Sequence, residues 1–140
     1  MICYLDASAL VKRYVTENHS RDVSKLLSAE IPVTSRLSES EIASALARRH
    51  REGSLTLPER NRLLAAMQQD LASLYIVEVS PEVSAKACGL LMRHRLRAGD
   101  ALQLASALLL AGKSNLKIQF VSFDRSLNEA ASREGLALPG

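Results

Sequence analysis

A chain of 140 residues with 47% hydrophobic and 24% charged residues can bury one real core and is far from the composition of a disordered segment. Its 18 basic and 15 acidic residues leave a net charge of +3, a mild bias that permits a nucleic-acid partner without implying one. Cys3 and Cys88 lie in apolar stretches with no CxxC spacing, so both are expected as reduced core thiols. The N-terminal apolar run breaks at Asp6, so no signal peptide is expected, and "ALQLASALLLAG" is too short to span a bilayer; the expected setting is cytoplasmic, with no membrane partner.

In chain order, "ICYL" (Ile2 to Leu5) reads as a short apolar strand, and "DASALVKRYVTE" then turns helical with Leu10, Val11 and Tyr14 on one side. A second helix is expected across "SRDVSKLLSAE", and "IPVTS" (Ile31 to Ser35) as a buried strand. A helix from about Ser38 is closed by Gly53, and another covers "LPERNRLLAAMQQDLASL", with Pro58 in its first turn. "YIVEVS" predicts a strand, "PEVSAKACGLLMRHRLR" a helix, and "DALQLASALLLAG" a helix apolar nearly all round, hence buried. "KIQFVSF" predicts a strand, "DRSLNEAASREG" a helix, and "LALP" an edge strand. Strands alternating with helices, without repeat or linker, point to a single α/β domain over residues 1–140 with a mainly parallel sheet.

Four acids stand at element junctions. Asp6 follows the first strand, Asp124 follows "KIQFVSF", Asp100 opens the buried helix, and Glu41 lies in the first turn after Ser38. In a parallel sheet the carboxyl ends of strands and the following helix N-termini share one edge, where ligands usually bind. Clustered carboxylates repel one another, and a hard divalent cation with oxygen ligands, Mg2+ or Mn2+, resolves that conflict. Each acid also has a plain capping role open to it. Asp6, Asp100 and Asp124 suit an N-cap, and Ser38-x-x-Glu41 has the spacing of a capping box. Glu39 and Glu41 flank the apolar face of their helix from either side, so geometry does not choose between them.

Other chemistry has little support. His19, His50 and His94 lie in polar or basic stretches without ligand spacing and are expected to be exposed, and there is no phosphate-binding glycine loop or GxSxG elbow. Ser8 and Ser122, two residues from Asp6 and Asp124, have hydroxyls able to bond the acids or to form turns. The basic runs "ARRHRE" (Ala47 to Glu52) and "MRHRLR" (Met92 to Arg97) end helices, as the helix dipole favours; their other reading is a phosphate-contacting rim.

"YLDASALVKRYVTE", "SRLSESEIASALARRHREG", "HRLRAGDALQLASAL" and "FVSFDRSLNEAASREGL" resemble, in order and spacing, the motifs of the PIN-domain family, most closely its VapC-type toxin branch. The resemblance covers essentially the whole chain. It implies a three-layer α/β/α sandwich with a mainly parallel central sheet, binding Mg2+ or Mn2+ through acidic residues and cleaving RNA. Matched motif by motif, Asp6, Glu41, Asp100 and Asp124 fall on the acidic positions, so the match selects Glu41 over Glu39. Ser8 falls on a hydroxyl position, and Ser122 stands where many relatives carry threonine. The resemblance also implies a small cognate antitoxin and a homodimer.

On this reading the ion lowers the pKa of a water and offsets charge growing on the phosphate, giving 5′-phosphate and 3′-hydroxyl products. The RNA would be gripped by Arg48, Arg49, Arg93, Arg95 or Arg97. Two other classes fit parts of the pattern. A phosphoacceptor receiver needs an acid ending a middle strand and a lysine after a later one, whereas "YIVEVS" ends in serine and "VSFD" supplies an acid. A metal-free interaction module of the same fold would use every acid as a cap and would not respond to Mn2+.

Overall fold

The computed structural model describes residues 1–15, 23, 25 and 31–139. "ICYL" is strand β1 (Ile2–Leu5), buried throughout. Side chains alternate across a pleated strand, so Ile2 and Tyr4 enter the larger core while Cys3 and Leu5 enter a smaller one with Ala9, Val23 and Val121. β1 pairs on one side with β2 (Ile31–Ser35) and on the other with β4 (Ile118–Val121), and β3 (Tyr75–Val77) lies outside β2. All pairings are parallel, in the order β3-β2-β1-β4. Ile2 stands opposite both Ile31 and Ile118, and Leu5 opposite Val121.

The helices are α1 (Ala7–Leu10), continued by a 3-10 turn at Val11–Arg13, then α2 (Leu37–Arg51), α3 (Leu57–Leu71), α4 (Pro81–Arg93), α5 (Ala98–Lys113) and α6 (Arg125–Arg133). Helices α4, α5 and α6 pack on the face of the sheet that carries Tyr4 and Phe120, whose rings stack 5.6 Å apart. Leu10 and Tyr14 pack with Ile42, Leu46, Met67 and Leu71 of α2 and α3. The result is the expected three-layer α/β/α arrangement. Among the described residues no helix is long and apolar enough to cross a membrane. The helix expected over residues 20–30 lies outside the described residues, except for Val23 and Lys25, as does His19.

Several boundaries differ from expectation, each for a local reason. β4 stops at Val121 because the next backbone donors go to side chains: Phe123 N–H to Ser8 Oγ and Asp124 N–H to Ser122 Oγ, both 3.0 Å. β3 stops at Val77, and Glu78 turns to Arg36 in a two-pronged ion pair at 2.8 and 2.9 Å. "LALP" adds only one parallel bridge, Ala137 to Gln119. Helix α4 ends at Arg93 rather than running to Arg97, because His94 is extended and its ring meets Glu134 at 2.6 Å. Helix α5 starts at Ala98, two residues before Asp100. The thiol expectation holds for Cys3, which is buried, and fails for Cys88, which lies on the exposed side of α4.

The topology selects one place along the sheet edge. β1, β2 and β3 step outward in one direction, and β4 returns to the other side of β1. Ligands of open parallel sheets bind outside the carboxyl ends of the strands at such a reversal. Asp6 directly follows β1, and Asp124 follows β4 after Ser122 and Phe123.

Candidate active site

Asp6 is the N-cap of α1. Its Oδ1 accepts from the Ala9 N–H at 2.9 Å and from Ser8 Oγ at 2.7 Å, and its Oδ2 accepts from Ser122 Oγ at 2.7 Å. Ser8 and Ser122 thus tie the ends of β1 and β4 to one carboxylate. Burial nevertheless pushes Asp6 up to about 6; the hydroxyls and the N–H pull it back, and the charge of Asp100 pushes further. Desolvation outweighs three hydrogen bonds, so the ionised carboxylate is under-compensated.

The other two aspartates divide. Asp124 caps α6, accepting from the Leu127 N–H at 2.9 Å. Asp100 does not cap its helix: Arg97 holds the N-cap position of α5, no side chain caps that end, and Asp100 lies in the first turn. It is half-buried, and burial followed by the charges of Asp124 and Glu41 raises its pKa against an opposing pull from Arg97. An acid in the first turn suits the helix dipole, but its neighbours are other acids.

Glu41 and Glu39 diverge on α2. Glu39 pairs with Arg36 at 3.5 Å, whereas Glu41 Oε1 accepts from Gln103 Nε2 of α5 at 2.8 Å. Its Oε2 lies where a Cβ on Gly99 would come within 3.3 Å, so the missing side chain at Gly99 lets the carboxylate approach the first turn of α5. The expected capping box is not formed. Helix α2 begins at Leu37, whose N–H goes to Ser35 Oγ at 3.0 Å, and Ser38 points inward to Thr34 Oγ1 at 2.7 Å and Gln103 Nε2 at 3.0 Å.

Gln103 is a residue the sequence reading passed over. It is 1% exposed, its Oε1 accepts from the Tyr4 hydroxyl at 2.6 Å, and its Nε2 serves both Ser38 and Glu41. Burial raises the Tyr4 pKa, keeping the phenol a donor and fixing which way the amide points. The available signal was a long polar residue inside an otherwise apolar helix, three positions after Asp100 and therefore on its face.

A groove of about 670 Å3 adjoins the acids, lined among others by Ser8, Glu41, Lys12, Arg48, Arg97 and Phe123. Of the five arginines singled out from sequence, Arg48 and Arg97 are the ones on its walls. Arg93 is committed to Glu134, with both prongs at 3.1 and 3.2 Å; Arg95 is exposed beyond the end of α4, and Arg49 is half-buried on α2. His94, expected to be exposed, has 9% of its side chain exposed against Glu134, and His50 is half-buried with its Nδ1 3.0 Å from the Leu55 carbonyl oxygen. Lys12 and Phe123 were not anticipated, although both lie within the quoted motifs: Lys12 stands on the turn after α1, and Phe123 directly precedes Asp124.

The four acids come from four separate segments and act on one another electrostatically through Asp100, which affects Asp6 and is affected by Glu41 and Asp124. Among the described residues, no group of three or more His, Cys, Asp or Glu is already gathered as a metal cage. In chemistry the donors fit a hard cation, since all are carboxylate oxygens, with those of Asp6 held by the Ser8 and Ser122 hydroxyls. The under-compensated Asp6 is a place where positive charge would be welcome.

The PIN domain family profile matches residues 3–132. The chain is 34% identical over 139 residues to Ribonuclease VapC45 of Mycobacterium tuberculosis, covering 96% of this chain and 92% of that protein. Its fold is similar to that of VapC20 of Mycobacterium tuberculosis, described as a sarcin-ricin loop cleaving toxin, with a TM-score of 0.68, 17% identity and 96% of each chain covered. It is also similar to a chain of a toxin-antitoxin complex from Klebsiella pneumoniae, with a TM-score of 0.60, 17% identity, and 84% of this chain and 83% of that one covered.

Proposed function

Because this chain belongs to the PIN-domain family, we propose that it is a Mg2+- or Mn2+-dependent endoribonuclease, the toxin of a toxin–antitoxin pair. The observation that carries the reading is the electrostatic coupling of Asp6, Glu41 and Asp124 through Asp100, next to a groove with Arg48 and Arg97 on its walls. The ribonuclease name of the VapC45 relative and the toxin-antitoxin complex with a similar fold support it. The proposal includes a small cognate antitoxin, a homodimer and a cytoplasmic setting, as the resemblance implies. The receiver reading falls with the family assignment.

Asp6, Glu41, Asp100 and Asp124 would hold the ion, with Ser8 and Ser122 as supports. Bound there, a divalent cation supplies a water of lowered pKa and offsets charge growing on the phosphate. The chain's own residues do the rest. Ser8, Ser122 and the Ala9 N–H hold Asp6 in one orientation, and Gln103 holds one oxygen of Glu41. Arg48, Arg97 and Lys12 provide positive charge for the RNA backbone along the groove. In-line attack by water forms a new O–P bond, breaks the bond to the 3′ oxygen, and leaves a proton on that oxygen and the phosphate on the 5′ side.

Purified protein freed of antitoxin should cut RNA with Mg2+ or Mn2+ and stop with EDTA; cleavage undiminished by chelation overturns the proposal. Glu41→Gln should lose nearly all cleavage, because an amide is a weak metal ligand. Glu39→Gln should keep most of it, because Glu39 faces Arg36. A metal-free interaction module is the second reading, favoured by the capping roles of Asp6 and Asp124 and by the absence of a gathered cage among the described residues. It predicts a melting temperature indifferent to Mn2+.

A further inference from the structure

Phe123 occupies an unusual position for an aromatic side chain. The chain's other phenylalanine, Phe120, is fully buried against Tyr4, whereas Phe123 is 40% exposed in the bend between β4 and α6. Its neighbours in sequence are Ser122, which bonds Asp6, and Asp124, which caps α6; its own N–H is held by Ser8 Oγ at 3.0 Å. The backbone under the ring is therefore tied to Asp6 and Ser8 by two hydrogen bonds and to α6 by a third. The ring is also a shared wall. On one side is the groove of about 670 Å3 with Arg48 and Arg97, and on the other a cavity of about 620 Å3 lined by Asn128, Arg133 and the Arg125–Glu129 pair, whose charges lie 3.5 Å apart. The Lys12 ammonium lies over the ring, 5.1 Å from its centroid.

A single exposed apolar side chain requires no function. An anchored ring between two clefts that each carry arginines, beside the acids, has the properties of a stacking platform: an apolar face for a base and cations for the backbone on either side. Paired bases are stacked within a helix and present their edges, so such a platform selects a base that is unpaired. Resting on the ribonuclease reading, we propose that Phe123 stacks an unpaired nucleobase flanking the scissile phosphate. Lys12 supplies a phosphate contact on the same strand, and the RNA crosses from one cleft to the other over this ring.

The chain contains no tryptophan, so Phe123→Trp installs a single indole reporter at the platform. Titrated in EDTA with an unstructured oligoribonucleotide, its fluorescence should be quenched, and a blunt duplex of the same sequence should quench it several-fold less. No quenching by the single strand, or equal quenching by the duplex, overturns the proposal. In cleavage assays with metal, Phe123→Ala and Phe123→Leu should raise KM for a single-stranded substrate by about tenfold, while Phe123→Tyr and Phe123→Trp stay near wild type. Alanine and leucine variants that match wild type in KM also overturn it, because leucine keeps the apolar surface and loses only the ring. If wild type cuts no RNA while the indole is still quenched selectively by the single strand, the ribonuclease reading fails and the platform stands.

Discussion

Gln103 reaches from α5 to α2 and donates to Glu41 Oε1 at 2.8 Å, while its own Oε1 receives the Tyr4 hydroxyl at 2.6 Å. One buried amide thereby orients a carboxylate of the candidate site and is itself oriented by the central strand. Replacing it with leucine takes away the acceptor of the buried Tyr4 hydroxyl, at a cost of about 1–3 kcal/mol, while Ser38 keeps Thr34. The replacement also frees Glu41. Supports of metal ligands typically matter about 10- to 100-fold in affinity, so Mn2+ binding followed by electron paramagnetic resonance should weaken within that range in Gln103→Leu. Tyr4→Phe should give a smaller effect of the same sign. Unchanged affinity in a folded Gln103→Leu variant would return the amide to a purely structural role.

Gly99 separates stability from activity. A Cβ there would meet Glu41 Oε2 at 3.3 Å, close enough to make the carboxylate shift by a few tenths of an ångström. Alanine is intrinsically better than glycine in a helix by up to about 1 kcal/mol. Gly99→Ala should therefore melt at or above the wild-type temperature in EDTA and cleave RNA about tenfold more slowly or worse, in line with the sensitivity of catalytic geometry to small displacements. Scanning fluorimetry and single-turnover cleavage check the two halves. A variant that loses both together would mean that the glycine serves the fold alone.

The raised Asp6 makes a signed pH prediction. A carboxyl held at about 6, against 3.8 ordinarily, binds its proton more tightly in the folded state. Its stability contribution is then present below the unfolded value and is lost as pH rises through the folded one. Without metal, stability should fall between pH 4 and 6 by on the order of 2–3 kcal/mol from this group. Asp100 is raised in the same direction. Asp6→Asn should flatten the fall relative to wild type, and Mn2+ should reduce it by favouring the ionised form. Asp100→Asn should melt higher than wild type in EDTA at pH 7, since relief of repulsion outweighs a dipole loss of about 0.3–1 kcal/mol, and should gain less from Mn2+. A variant that melts lower in EDTA and gains equally from Mn2+ would count against the acidic cluster.

The arginines divide by their surroundings. Arg48 and Arg97 line the groove, whereas Arg93 is held by both oxygens of Glu134. Arg48→Glu and Arg97→Glu should each raise the RNA Michaelis constant and lower its log–log salt slope by roughly 1. Arg93→Ala should leave the slope unchanged. Equal slopes in all three variants would make Arg48 and Arg97 ordinary solvated helix residues.

The chain's local patterns were enough for the elements that carry their own signal. The alternation of "ICYL", the helix closed by Gly53 at φ +86°, and the acids following β1 and β4 depend on neighbours a few residues away. Motif order was enough to point to the family. Tertiary structure alone decided the rest, because those choices depend on contacts between distant segments. The helical wheel left Glu39 and Glu41 equivalent; Arg36 takes one, and Gln103, 62 positions away, takes the other. Spacing allowed Asp100 to be a cap, but α5 gains its first turn at Ala98 and leaves Asp100 facing other carboxylates instead. The basic run after Met92 read as one helical face until His94 turned to Glu134 and divided it. Strand order, which places the reversal between β1 and β4 beside Asp6 and Asp124, is set by how the helices pack on the sheet, and hydrophobic pattern alone leaves it open.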